Sequence, residues 1–327
     1  AVPGNAFIEA AVGKDTARAL FSGRDEAAID KRIKQLKAKG IRVVTRLNPE
    51  YPRLLHQSDC PPPLLYVMGK LPKGDKYFAI VGTRNCSRYG EGVARMFSSG
   101  LSQSGVTVVS GMARGIDTAA NAAAAESGGS TVAVLGCGVD IVYPGENRRL
   151  YDRIIECGAV VSEFAPGTRP LPGNFPIRNR VISGMCRGVL IVESQQRSGA
   201  HITASHALEQ GRDVFAVPGN INSKYSTGPN MLIREGARVA LTPDDILSEY
   251  GWRKGAVRAV SKVKKLALEG DESRAAELLM KGDMDVDSLA AALDIDINKV
   301  NSMLTMMEIR GIIKKLPANI YTLYHDI

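Results

Sequence analysis

The stretch VLIVESQQRSGAHITASHALEQGRDVFAVPG, residues 189–219, contains the signals that decide the fold. It continues an apolar run over residues 188–192, which predicts a strand buried on both faces. Residues 193–199 form a polar turn, and residues 200–210 predict a helix that the following glycine ends. A second apolar run, residues 214–217, completes a strand–helix–strand unit. Such a unit implies two parallel strands.

The same alternation of strands and helices repeats through residues 71–250. We therefore predict an α/β fold with a mostly parallel, doubly wound sheet in this segment. Residues 1–70 predict a small helical module, similar to SAM or helix-hairpin-helix domains, with helices near 15–21 and 25–39. Residues 251–270 are rich in lysine and arginine and predict a basic linker.

Residues 271–327 predict three short helices and a hairpin, which is the pattern of a winged-helix domain. The third helix is the one that would read duplex DNA. It carries Lys299 and Arg310 beside Met303, Met306 and Glu308. This surface is less cationic than duplex binding requires. We therefore expect it to contact protein, including a second copy of the chain, rather than a specific DNA sequence.

Composition restricts the class of protein. The chain has 327 residues, 44% of them hydrophobic and 23% charged, which is typical of a globular protein of more than one domain. We expect no membrane span and no signal peptide. The five cysteines show no CxxC spacing, so we expect reduced thiols in a cytoplasmic protein and no metal site. The net charge of +8 favours a polyanionic partner.

The loops that follow the predicted parallel strands are rich in glycine, hydroxyl and cationic residues. Because the carboxyl ends of parallel strands meet at one edge of a sheet, we expect these loops to line one surface. Glycine lets a ligand approach the backbone, and free amides together with arginines favour phosphates. The candidate binding residues are Gly82, Thr83, Arg84, Ser110, Gly111, Arg114, Asn174, Phe175, Arg178, Asn179, Arg180, Arg197, Ser198, Gly199 and Lys224.

Phe175 lies among the cations of residues 174–180. Proteins that bind single strands place aromatic rings among cations, because every base has a face that can stack on a ring. A side chain that fills the core beneath the loop is an equally good interpretation. The residues alone leave the two interpretations open.

Enzymatic functions are less consistent with the motifs. Gly136 and Gly138 begin a GxGxxG pattern, but Ile141 stands where the third glycine would lie. We therefore expect no dinucleotide cofactor. Glu193 and Ser198 form the best candidate acid–base pair, yet no third residue completes a catalytic arrangement. Since a GxSxG motif is also absent from the sequence, we predict no catalytic residues and no cofactor.

Several segments occur in the order typical of one family. They are IVGTRNCSRYG, VVSGMARGIDTAA, AVLGCGVDIVYP, NFPIRNRVISG, the stretch quoted first, and GPNMLIREGA. With them, roughly the central half of the chain resembles the DprA/Smf (DNA-processing protein A) family. The resemblance implies an extended Rossmann-type domain flanked by an N-terminal module and a C-terminal winged helix.

The resemblance also implies a function. It indicates a non-catalytic protein that binds and protects single-stranded DNA without sequence preference, forms a homodimer through the Rossmann-type domain, and loads RecA recombinase during natural transformation. An alternative is an enzyme of a related Rossmann-type fold that binds nucleotides or cleaves nucleoside phosphoribosyl bonds. That alternative requires a PGGxGT-type loop, which the sequence lacks.

The family motifs assign roles by position. Arg84 in the Gly-Thr-Arg loop is the implied phosphate contact, and residues 175–180 and 197–199 match two further binding segments. Many members carry lysine where this chain has Gln195. This departure puts a cation contact at that position in doubt, and we expect Lys224 or Arg197 to supply the charge instead.

Overall fold

A computed structural model gives the structure of the protein. It describes residues 26–196, 198–252, 270–279, 282–310, 312–315 and 319–323. The chain divides into two compact units, residues 1–253 and 254–327, and each is described by itself. The predicted helix at 15–21 and nearly all of the predicted basic linker lie outside the described residues.

The first unit is built on one nine-stranded sheet. Its spatial order is β1-β2-β6-β5-β4-β3-β7-β8-β9. The strands from β6 to β9 in that order are parallel, which confirms the predicted mostly parallel sheet. The strands are β1 (Arg42–Thr45), β2 (Leu64–Gly69), β3 (Tyr77–Val81), β4 (Thr107–Ser110), β5 (Thr131–Val134), β6 (Ala159–Ser162), β7 (Gly188–Ile191), β8 (Asp213–Ala216) and β9 (Arg238–Val239).

Nine α-helices of this unit lie within the described residues, with a short 3-10 helix at Gly145–Asn147. Gly40, Gly105 and Gly211 each have a positive φ directly after a helix, which is the conformation that ends helices most easily. The helices are α1 (Glu26–Ala38), α2 (Arg53–His56), α3 (Arg88–Gln103), α4 (Ile116–Glu126), α5 (Arg148–Cys157), α6 (Asn174–Met185), α7 (Gly199–Glu209), α8 (Thr227–Arg234) and α9 (Pro243–Glu249).

Helices cover both faces of the parallel strands, which is why those strands read as continuous apolar runs. On one face Phe78 and Ile80 of β3 belong to a core that includes Phe97 of α3. On the other face Ala79 and Val81 belong to a core that includes residues of α6 and α7. Strand β3 is buried along its whole length.

The structure differs from the prediction for residues 42–69. We predicted a separate, mainly helical module over residues 1–70, with an extended piece at 42–47 and a short strand at 64–67. Strands β1 and β2 occur at these positions, but they extend the central sheet, and β2 pairs antiparallel with β6. The reason is the apolar alternation of β2, whose Leu65 and Val67 are fully buried in the same core as the parallel strands. A strand with one apolar face buries that face by pairing with a sheet.

The second unit contains three helices and a small antiparallel sheet. They are α10 (Asp271–Leu279), α11 (Val286–Leu293), α12 (Ile297–Ile309), β10 (Met284–Asp285), β11 (Ile313–Lys315) and β12 (Ile320–Leu323), with strand order β10-β12-β11. Helices followed by a paired hairpin confirm the predicted winged-helix pattern. The core includes Leu289, Val300 and Leu304. Among the helices that the structure describes in either unit, none is long and apolar enough to cross a bilayer.

Candidate nucleic-acid interface

A crevice of about 440 Å³ lies at the carboxyl end of β3. The chain runs from β3 through β4, β5 and β6 on one side and then crosses to β7 and β8 on the other. This is the point where ligands bind in doubly wound sheets. The crevice brings together predicted residues from three loops and helices: Gly82, Thr83, Arg84, Phe175, Arg178, Asn179, Ser198 and Gly199.

Arg84 and Phe175 form the outer part of this crevice. The Arg84 guanidinium lies 5.1 Å from the centroid of the Phe175 ring, within the range of a cation–π contact. Arg84 is exposed, and no acidic side chain pairs with it within the described ranges. Its charge is therefore available to an external anion.

Tyr143 extends the aromatic surface, and sequence reasoning missed it. Its ring centroid lies 5.6 Å from that of Phe175, and the side chain is 39% exposed. Tyr143 sits in the segment after β5, 32 residues before Phe175 in the chain, so no local pattern indicated the pair.

Phe175 lies on a helix, where we predicted a long loop. Helix α6 begins at Asn174, so Pro176 occupies its first turn. Proline is tolerated there because the amides of the first turn have no partner within the helix. The helix is why Phe175 and Arg178, three residues apart, both face the crevice.

Arg178 lies beneath the crevice and is only 4% exposed. Its Nη1 donates to the carbonyls of Gly111, at 2.9 Å, and Val134, and its Nε donates to Asn179 Oδ1 at 3.1 Å. Burial lowers the pKa of Arg178 to about 10, so the side chain remains charged at neutral pH. These bonds tie α6 to the ends of β4 and β5, which makes Arg178 a positioning residue rather than a surface contact.

Asp117 lies near Arg178 and is also buried. Burial raises the pKa of the Asp117 carboxyl, and the nearby Arg178 opposes that shift. Asp117 Oδ2 accepts the amide of Gly111 at 3.1 Å. The Arg178 cation and the Asp117 carboxyl, both buried, thus each form a hydrogen bond with the backbone of Gly111, the first residue after β4.

Two glycines leave the space that these side chains occupy, rather than space for a phosphate. A Cβ on Gly111 would lie 2.5 Å from Arg178 Nη1, and one on Gly136 would lie 2.9 Å from Phe175 Cδ1. Both distances are too short for any larger residue to be accommodated without movement. Glycine at these two positions therefore allows α6 to pack close to the sheet.

Some loop amides that we expected to be free have hydrogen-bond partners. Thr83 N donates to Glu193 O at 2.7 Å, Ile116 N donates to Thr83 O at 3.3 Å, and Gly111 N donates to Asp117. The first two bonds join the loop after β3 to the segment after β7 and to the start of α4. These three amides are therefore not available to a phosphate.

Three predicted contacts lie away from the crevice. Arg180 forms an ion pair with Glu163 and donates to Cys60 O at 2.6 Å, so it fastens the segment before β2 to α6. Arg114 pairs with Glu146 on the surface. The buried Ser110 hydroxyl donates to Ile80 O at 2.7 Å, which joins two strands. None of the three lines the crevice.

Four predicted residues, Asn174, Asn179, Arg197 and Lys224, remain to be placed. Asn179 Nδ2 donates to Gly199 O at 3.1 Å and so links α6 to the start of α7. Asn174 is the first residue of α6, and its side chain donates to Arg169 O at 3.4 Å. Lys224 lies in the loop after β8. Arg197 lies outside the described residues.

Glu193 has a structural role that argues against acid–base chemistry. Its carboxylate accepts the amide of Ser87 at 2.8 Å and the hydroxyl of Ser87 at 2.6 Å, and Ser87 caps α3. A Cβ on Gly90 would lie 2.3 Å from this carboxylate. The carboxylate is thus enclosed at a helix N-terminus, where a negative charge is stabilised.

Comparison with known proteins decides the family. The model of the family described as DNA recombination-mediator protein A matches residues 42–251, and that of the DprA winged helix domain matches residues 262–319. The chain belongs to the DNA recombination-mediator protein A family. This confirms the DprA/Smf resemblance, and the match starts at β1, in agreement with its place in the sheet.

Individual relatives agree with this family. DNA processing protein DprA of Streptococcus pneumoniae is 44% identical over 205 residues, 61% of this chain and 71% of that protein. Protein Smf of Escherichia coli is 46% identical over 60% of this chain but only 53% of its own length. The Streptococcus pneumoniae relative is named as a DNA-processing protein.

Two solved structures share the fold. The X-ray structure of DprA from Streptococcus pneumoniae has a TM-score of 0.64 at 39% identity and covers 71% of this chain and 81% of that chain. DprA from Helicobacter pylori has a TM-score of 0.57 at 25% identity and covers 64% and 95%. The latter was solved for its single-stranded DNA binding mode.

In the winged-helix unit, Lys299 of α12 and Arg310, which directly follows α12, have acidic partners. Lys299 Nζ lies 3.3 Å from Asp271 Oδ2, and Arg310 Nη1 lies 3.1 Å from Glu272 Oε2. Both acids belong to α10, so the charge that the third helix could offer to a duplex is largely balanced. This is consistent with the expectation that α12 does not read DNA.

Proposed function

We propose that the crevice binds single-stranded DNA without sequence preference. Arg84 binds a phosphate and Phe175, extended by Tyr143, stacks a base. The observation that carries the proposal is Arg84, which is exposed, has no acidic partner among the described residues, and lies over a half-buried ring at the switch point of the sheet. A backbone charge and a base face are the two features that every nucleotide shares. The single-stranded DNA binding of the Helicobacter pylori relative supports this choice of ligand.

The proposed role is protection and transfer of the strand, without catalysis. The enclosed Glu193 leaves the crevice without the acid–base pair that we considered from the sequence. We further propose that the protein acts in the cytoplasm, loads RecA recombinase onto the bound strand during natural transformation, and works as a homodimer. The description of the family as a recombination mediator supports the partner. The exposed apolar side chains of Val239 (45%) and Leu241 (64%) at the β9 edge of the sheet support self-association.

Fluorescence anisotropy with labelled oligothymidylate at several salt concentrations tests the interface. The wild type is expected to show log–log salt dependence with a slope of about −0.7 for each neutralised phosphate. Arg84→Ala should weaken binding and make the slope shallower by about that amount. Lys76→Ala is the matched control, because Lys76 is exposed but precedes β3 at the opposite edge of the sheet. Equal effects of the two substitutions would refute the assignment of Arg84.

A further inference from the structure

The loop between β8 and α8 places a second cation over a second ring. Lys224 Nζ lies 5.2 Å from the centroid of the Tyr225 ring. Lys224 is exposed, and among the described residues no acidic side chain pairs with it. Tyr225 is half-buried. The arrangement repeats the chemistry of Arg84 over Phe175.

Hydrogen bonds hold this loop in a fixed conformation. Ser194 N donates to Tyr225 O at 2.8 Å, and Gly228 N donates to Ser194 O at 3.0 Å, so the loop is fastened to the end of β7. The Asn230 side chain bridges both backbone groups of Gly219 at 3.1 and 2.9 Å. A loop ordered in advance loses little entropy when it binds a ligand.

The two cation–ring pairs lie on the same edge of the sheet. Phe175 contacts Gly136 after β5, and Tyr225 belongs to the loop after β8. In the sheet, β4, β3 and β7 separate these strands. With strands about 4.8 Å apart, the ends of β5 and β8 are about 19 Å apart, and the end of β3, which Arg84 follows, is about 10 Å from the end of β8. One nucleotide stacked on Phe175 therefore does not also reach Tyr225, whereas a polynucleotide of several residues reaches both rings.

We propose that Lys224 and Tyr225 form a second nucleotide subsite, so that a single strand runs along the carboxyl edge from Phe175 to the loop after β8. Lys224 binds a phosphate, and the Tyr225 ring stacks a base. This inference rests on the proposed single-strand binding and adds the path of the strand and the length that it occupies.

Binding of oligothymidylates from two to about twelve nucleotides by Tyr225→Ala and Lys224→Ala tests the second subsite. For the longer oligonucleotides, Tyr225→Ala should lower affinity about 5- to 150-fold, which corresponds to the loss of one base stack. The shortest oligonucleotides that bind should show no change, because they reach only the first subsite. Tyr225→Phe should match the wild type at every length.

Lys224→Ala should make the salt slope shallower by about 0.7 for long oligonucleotides only. Lys76→Ala controls for the loss of a charge. If Tyr225→Ala destabilises the loop, Tyr225→Leu keeps apolar volume without a stacking face and should show the same length-dependent loss. Fluorescence of Trp252, the only tryptophan, reports whether the fold is intact.

An equal loss at all lengths, or no loss at any length, would overturn the second subsite. In either case Arg84→Ala would still weaken binding, so the proposed function would stand. A wild-type protein that binds no oligonucleotide would instead overturn the proposed function. The two failures are therefore distinguishable.

Discussion

Replacement of Arg178 by methionine would remove the buried cation beneath the crevice and keep most of the side-chain volume. The Arg178 guanidinium donates to two backbone carbonyls and to Asn179, and it is 4% exposed. Its loss leaves Asp117 as a buried carboxylate without a cation nearby. Removal of one partner of a buried charge pair typically costs about 3–5 kcal/mol. We expect Arg178→Met to lower the free energy of unfolding by about that amount at pH 7.

The double variant Arg178→Met/Asp117→Asn provides the internal control. Asparagine keeps an acceptor for the Gly111 amide, which Asp117 Oδ2 accepts at 3.1 Å, and neither of the two replaced side chains then carries a charge. Replacement of both charged partners is far less costly than replacement of one. The double variant should therefore be more stable than the sum of the single effects predicts, by about 1–3 kcal/mol.

The loss of stability in Arg178→Met should depend on pH, and the pKa of Asp117 sets the direction of that dependence. Burial raises the folded-state pKa of Asp117, and the loss of Arg178 raises it further because Arg178 lowers it. A carboxyl whose folded pKa exceeds its unfolded value near 3.9 is favoured in the folded state when protonated. The stability deficit of Arg178→Met should therefore be greatest at pH 7. It should shrink as the pH falls through the folded pKa of Asp117.

Urea denaturation followed by Trp252 fluorescence measures these differences, because Trp252 is buried in the core of the first unit. If Arg178 positions α6, Arg178→Met should weaken binding of oligothymidylate without a change in the salt slope. Arg84→Ala should change the slope. Additive stability effects of the two substitutions, or a shallower slope in Arg178→Met, would refute the positioning role.

The structure supports two further predictions. Phe175→Leu keeps an apolar side chain against Gly136 but removes the ring, so single-strand affinity should fall by about 1–3 kcal/mol while the unfolding transition changes little; an unchanged affinity would assign Phe175 to packing alone. Glu193→Gln removes a negative charge from the N-terminus of α3 and should lower stability by about 1–2 kcal/mol. DNA affinity should be unaffected, and nucleotide turnover that depends on Glu193 would revive the enzymatic alternative.

The sequence was sufficient for the architecture, because strands buried on both faces and helices with one apolar face leave strong periodic signals. The β7–α7–β8 unit matches its prediction to within a residue or two at each end. The start of α6 is hard to predict because Pro176 resembles a helix breaker, although proline fits the first turn. The place of β2 was missed because its partner, β6, lies about 90 residues further along the chain.

The sequence predicted the candidate site less completely than the fold, because the residues around a loop cation do not show which acidic side chain pairs with it. Arg180 and Arg114 stood beside the same glycine-rich loops as Arg84, but the structure pairs them with Glu163 and Glu146. These acids are 17 and 32 residues away, too far for any local pattern to connect them. What separates Arg84 from its neighbours is the absence of an acidic partner in the described part of the chain, which only the fold can show.

The glycines connect these observations. We expected them to expose amides to phosphates, yet the space above Gly111 is filled by Arg178 and that above Gly136 by Phe175. A residue with a Cβ at either position would push α6 away from the sheet, and with it the ring that we propose as the stacking platform. The glycine-rich motifs are therefore best understood as packing requirements of the interface. They fix where the ring and Arg84 stand, and these are the side chains to which we propose that the strand binds.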